Sequence, residues 1–221
     1  MTDDPGQSEP TSKLVRSKRQ WAHEGRLLSA ARGNPARDRL PPGQRPTRDW
    51  PVLDLGQQPD ITAETYYLDI DGTVERPQHF GLADLLALPQ ADSVSDIHCV
   101  TQWSRFDNHW RGIASSVLID LAQPRPGTRH VILHARDGYT TNVRFDQFAQ
   151  PEVMLVHQWE GKPIERAHGG PVRLIIPRLY LWKSPKWLSH IEFSETDSPG
   201  FWERNGYNNN ADPWLEERYS A

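Results

Sequence analysis

Cysteine is almost missing from this chain: among 221 residues Cys99 is the sole example. A lone cysteine cannot close an intramolecular disulfide, so no disulfide framework holds the fold. Cys99 is left as buried filler, a nucleophile or a metal ligand. Long apolar runs are missing too, and none approaches the roughly 18 residues of a membrane span. The opening stretch "MTDDPGQSEPTSKLVRSKRQ" has neither an apolar core nor a twin arginine leading into one. It does not read as a secretory leader, and a cytoplasmic protein is expected.

A strong net charge is missing as well. The formal net charge is −4, unevenly spread. Residues 1–50 hold ten Lys/Arg against six Asp/Glu, which leaves fifteen against twenty-three for residues 51–221. The basic excess of the first stretch is small and not interleaved with aromatic residues, so a solvated arm is expected rather than a nucleic-acid partner. Residues 1–40 are polar, with few large apolar groups, and read as an arm. Residues 41–221 are long enough to bury a core of their own and read as one domain. Within the arm, "RQWAHEGRLLSAAR" has the spacing of a short helix, with Trp21, Leu27 and Leu28 on one face.

What the chain does have is tryptophan, nine in all. Such rings line cavities as well as cores, and their number hints at a cofactor or substrate pocket. The stretch "RLPPGQRPTRDWPVLDLG" holds four prolines, so it is neither helix nor central strand. Beyond it the texture turns β-rich. "TYYLDIDGTVERP" predicts a strand, an Asp-Gly turn and a second short strand. "GLADLLALP" predicts a short helix near 81–88. "SDIHCV" predicts a strand that ends on Cys99, and "RHVILHA", "GYTTNVRF", "VMLVHQW", "PVRLIIP" and "KWLSHIEFSE" predict further strands. "DQFAQ" and "PWLEERY" read as brief helical pieces. Many short strands with few short helices predict an α+β, mixed-sheet domain.

A working cysteine needs a positive charge or a metal nearby, because only the thiolate attacks or ligates. His98 is adjacent in sequence, but neighbours on a strand point to opposite faces, so it is not placed as a base for Cys99. No signature of a cysteine-dependent hydrolase accompanies it. His130 and His134 share a strand face, yet without further cysteines or an H-E-x-x-H helix they predict structural histidines rather than a zinc site.

Three blocks change the reading of Cys99: "HCVTQWSRFDNHWRGI", then "DGYTTN", then "HGGPVRLIIPRLYLWKSPKW". In this order they resemble the molybdopterin-binding domain of the sulfite oxidase family. The likeness is strongest to its short bacterial members, which are related to the catalytic subunit of the periplasmic methionine sulfoxide reductase. It runs from about Pro41 to the "GFWERNGYNNNADPWLEERY" tail. The resemblance implies the sulfite oxidase-type fold and a molybdenum–molybdopterin cofactor, one per chain, with Cys99 as the thiolate ligand of the metal. A soft thiolate suits a thiophilic metal. It implies that His168, Arg173, Ser184, Pro185 and Lys186 hold the pterin and its phosphate, with Gln44 of the proline-rich loop as a further contact. It places Tyr139 near the open metal position and makes Arg105 a candidate for an anionic substrate. The implied activity is two-electron oxygen-atom transfer on a small molecule, either a sulfite-like anion or an S-oxide or N-oxide. The family's haem domain and dimerisation domain have no counterpart here, so a separate electron donor or acceptor protein is expected. The rival readings are a molybdopterin carrier without turnover and a metal-free cysteine hydrolase.

Overall fold

The computed structural model describes residues 39–220. The arm preceding residue 39 and the helix expected in it lie outside the described residues. Two mixed sheets carry the architecture. The first has the order β1-β5-β8-β10, with β4 added to β5 and β9 to β8. Its strands are β1 (Arg45–Pro46), β4 (Ala91–Cys99), β5 (Trp103–Ala114), β8 (Met154–Trp159), β9 (Lys162–Pro163) and β10 (Arg173–Ile175). The second has the order β3-β2-β11-β6-β7. It is built from β2 (Tyr67–Gly72), β3 (Gln78–Gly81), β6 (His130–Ala135), β7 (Thr140–Arg144) and β11 (Leu188–Ser194). Among the described residues four short α-helices complete the fold, α1 (Leu82–Ala87), α2 (Ser115–Ala122), α3 (Phe145–Phe148) and α4 (Phe201–Arg204), with 3-10 turns at Arg166–His168 and Leu181–Lys183.

Residue alternation explains the second sheet. In β2, Leu68 and Ile70 are fully buried while Asp69 and Asp71 between them face outward, the period of two that a half-covered sheet requires. In β11 Ile191 and Phe193 continue the same inner face. These side chains meet Leu85 of α1, Leu118 of α2 and Phe148 of α3 in the main core. Two smaller aromatic clusters lie outside it. One gathers Cys99, Tyr139, Tyr180, Trp182, Trp202 and Tyr207, and the other Trp50, Ile97, Trp110 and Ile175; Trp103 packs against both.

The strand expected to deliver Cys99 is β4, and the strands and helix expected from residue 130 to residue 194 and near 81–88 are present. Three expectations need correction. No two-residue hairpin follows "LDID": β2 ends at Gly72, the chain crosses to bond Gln123 O and Ala122 O, and the partner strand starts only at Gln78. "PWLEERY" forms turns rather than helix. Asp212 captures the Trp214 amide, Glu216 has φ 53°, and carbonyls of Val100 and Pro42 draw Arg218 into the interior. The longest strand, β5, and α2 carry no clean periodicity and were not anticipated. β5 is paired along its length by β4 on one edge and by β1 and β8 on the other; Asp107, His109 and Arg111 stay exposed while Ser104, Asn108, Trp110 and Gly112 face inward, so its buried side is largely polar or small.

Candidate active site

β4 and β5 form a hairpin in which Cys99 pairs with Trp103 across three loop residues. Gln102 occupies the left-handed position (φ 71°) that lets so short a loop close. The loop is tied down from outside. Cys99 O accepts from Gln102 N and from the Gln44 amide, both at 3.0 Å. Val100 O accepts from Arg218 Nη1 at 2.8 Å, and Gln102 O from Arg45 N at 2.9 Å. Cys99 is thereby fixed on the wall of a cleft that opens to solvent. On the other side of the strand, His98 bonds Ser104 Oγ at 2.8 Å, so it is no partner of the thiol.

The cleft's other wall comes from the segment around β10 and the turn Leu181–Lys183. Arg173, Ser184, Pro185 and Lys186 all line it. Arg173 is 1% exposed, and its guanidinium donates to His168 O (2.7 Å) and Ser184 O (2.8 Å). That fork clamps the two segments "HGG" and "KSPK" onto one strand. Among the described residues no carboxylate pairs with Arg173, and burial alone pulls its pKa down to about 9. Lys186 Nζ donates to Ala167 O at 2.6 Å. Gly169 (φ 104°) and Gly170 allow this approach: a Cβ on the first would stand 2.8 Å from Lys186 Cα, and on the second 1.9 Å from Ile164 O. An unpaired buried cation is costly, so the wall favours an anion arriving beside it.

Of the other sequence candidates, Tyr139 lines the cleft, but its hydroxyl donates to Trp182 O at 2.6 Å. Acting as a donor toward the cleft would require giving up that carbonyl. His168 stands behind the lining. Its ring stacks on Trp50 at 4.1 Å, and its buried Nδ1 has no hydrogen-bond partner among the described residues. Gln44 sits beneath the hairpin, its amide committed to Cys99 O and Ser104 Oγ. Arg105 lies outside the lining. β5 runs antiparallel to β4, so Arg105 is opposite Ile97, and its guanidinium stacks over Trp159 while bonding Arg48 O.

The proline-rich stretch does reach the cleft, through Trp50, Pro51, Leu53, Asp54 and Leu55 rather than Gln44. Those residues, Trp103 and Asp137 were not singled out from the sequence. Trp103 carried a signal in its hairpin spacing from Cys99; the others had none. Burial, first of all, raises the Asp137 pKa. Beneath Tyr139 lies a fully buried ion pair, Lys183 Nζ to Glu203 Oε1 at 2.7 Å, with Thr141 and Trp182 also donating to that oxygen.

Residues 55–202 match the family described as "Oxidoreductase molybdopterin binding domain". The chain belongs to that family. It is a molybdenum–molybdopterin oxidoreductase. An uncharacterised oxidoreductase of Bacillus subtilis, YuiH, is 41% identical over 183 residues, which is 82% of this chain and 92% of that protein. The methionine-sulfoxide reductase catalytic subunit MsrP of Campylobacter jejuni is 25% identical over 161 residues, 65% of this chain and 54% of that protein. The chain thus spans about half the length of such reductase relatives. Among solved structures, the sulfane dehydrogenase SoxCD of Paracoccus pantotrophus superimposes with TM-score 0.56 at 21% identity, covering 63% of this chain and 40% of that one, which shows a shared fold.

The residues present fit the family's cofactor. The cleft offers a soft sulfur and, among the described residues, a buried guanidinium without a counter-ion and an unpartnered Trp103 Nε1 in its lining, with His168 Nδ1 likewise unpartnered behind it. His168 also predicts a pH effect. Burial, then Arg173 and Lys186, push its pKa down to about 4. Between about 4 and the ordinary 6.5 the unfolded chain binds a proton that the folded chain refuses, so stability falls as pH drops through this window. Thermal melting from pH 7 to pH 4 is expected to show the decline, with a shallower slope in His168→Gln.

Proposed function

We propose that this cleft catalyses two-electron oxygen-atom transfer on a small S-oxide or N-oxide, with Cys99 as the protein ligand of the metal. One observation carries the reading: the chain's lone cysteine and the buried Arg173 share one cleft although they are far apart in sequence. When bound, the cofactor supplies the oxygen-transfer site and stores the two electrons.

The chain's residues do the rest. Arg173, with Lys186 beside it, faces the position that suits the cofactor's phosphate, and the His168 imidazole, neutral at pH 7, serves as a hydrogen-bonding partner rather than a second cation. Trp50, Trp103, Trp182 and Trp202 wall the cleft with apolar surface. That wall, and the presence of Asp54 and Asp137, favour a neutral oxide over a sulfite-like anion. The placement of Arg105 outside the lining points the same way, as do the names of the methionine-sulfoxide reductase relatives. A separate redox protein would exchange the electrons, and a cytoplasmic location belongs to the same reading. Among the described residues no helix is long and apolar enough to cross a membrane.

The test uses protein made in a host that synthesises the cofactor. Stoichiometric molybdenum and oxidation of reduced methyl viologen by methionine sulfoxide or trimethylamine N-oxide are the expected results. Sulfite-dependent reduction of ferricyanide in their place would reverse the substrate preference. Bound pterin without turnover would leave a carrier, and absence of molybdenum would sink the assignment.

A further inference from the structure

Thr101 is the middle residue of the hairpin loop, and its Oγ1 stands 3.1 Å from Cys99 Sγ. It belongs to the block "HCVTQWSRFDNHWRGI" but does not line the cleft. Its position is nonetheless well fixed. The backbone carbonyls of Cys99, Val100 and Gln102 are each held by a donor from outside the loop, so the backbone on both sides of Thr101 is anchored. A β-branched side chain on fixed backbone has little χ1 freedom. In a free thiol either atom can donate. Once the sulfur is a thiolate ligand it has no proton, and the hydroxyl becomes the donor.

We infer that Thr101 is a positioning residue whose hydroxyl donates to the Cys99 sulfur and raises the reduction potential of the metal held there. The inference rests on the reading of Cys99 as the ligand. A hydrogen bond withdraws electron density from a thiolate, weakens its donation to the metal, and so favours the more electron-rich, reduced state. Hydrogen bonds to ligating sulfur tune metal centres in this way in other proteins. The redox balance of the site would therefore depend in part on a residue outside the cleft lining.

The experiment is a potentiometric titration of the loaded enzyme, followed by the electron paramagnetic resonance signal of its molybdenum, in wild type, Thr101→Val, Thr101→Ala and Thr101→Ser. Metal content and circular dichroism are measured alongside. The two donor-free variants are expected to keep the metal and the fold but to shift the redox equilibrium about tenfold toward the oxidised state, about 30 mV for a two-electron couple. Thr101→Ser, which keeps the hydroxyl, should remain near wild type. An unchanged potential in loaded Thr101→Val or Thr101→Ala overturns the inference. So does loss of metal from both while Thr101→Ser stays loaded, since Thr101 would then be a structural residue. A wild-type protein without molybdenum fails earlier and counts against Cys99 as ligand instead.

Discussion

Protein carrying Cys99→Ser is expected to lose its molybdenum while keeping its fold. The side chain differs by one atom, and the hairpin that holds it is anchored through backbone carbonyls that the substitution does not touch. A serine hydroxyl is a poorer, harder donor than a thiolate for a thiophilic metal. Turnover of an oxide should fall by more than about 100-fold, because changes merely behind a metal ligand already cost 10–100-fold. Elemental analysis, circular dichroism and dye-linked turnover measured on one preparation separate the outcomes. Metal and activity both retained would remove Cys99 from the site. Pterin retained without activity in the wild type would instead favour the carrier reading.

The second large effect is expected at Lys183, which is fully buried. Burial pushes its ammonium pKa down, opposed by the carboxylate of Glu203. Lys183→Met would leave that carboxylate buried with Thr141 and Trp182 as its donors among the described residues and strip a donor from Asn142 O, which receives Nζ at 2.7 Å. Removing one member of a buried pair typically costs about 3–5 kcal/mol. For a domain of this size that is a fall in melting temperature of roughly 10 °C. The double variant Lys183→Met with Glu203→Gln should recover part of the loss, because no charge is then stranded. Additive losses in that cycle would show that the two residues act independently. The consequence for function follows from position: Lys183 immediately precedes Ser184, Pro185 and Lys186, so loosening the pair loosens one wall of the cleft.

Much of the second sheet was legible because its strands are half-covered. "YLDIDG" and "LSHIEFS" alternate apolar and polar residues, and the alternation survives as buried and exposed faces. β5 was not legible on the same terms. In "WSRFDNHWRGIA" burial alternates from Asp107 to Gly112, but the inward positions include the polar Ser104 and Asn108 and the side-chain-free Gly112, so the alternation of burial is not an alternation of apolar and polar residues. The tail misled because its apolar and charged residues have helical spacing, while capping side chains and the inward pull on Arg218 fold it into turns.

The site divides in the same way. The residues by themselves left Cys99 open among filler, nucleophile and ligand; the family resemblance of its three sequence blocks is what marked Cys99, Arg173, Ser184, Pro185 and Lys186, since a motif is a property of the chain and survives without coordinates. The sequence also excluded His98 as the base for Cys99, because strand parity is a property of the chain. Only the tertiary structure showed that Gln44 supports the Cys99 carbonyl from below, that Arg105 is spent on Trp159 and Arg48, and that Tyr139 donates away from the cleft. Only it revealed the Lys183–Glu203 pair and the Thr101 contact with sulfur. The physical reason is the same in each case. A side chain's type says which bonds it can make, but which partner takes them depends on packing between segments up to a hundred residues or more apart.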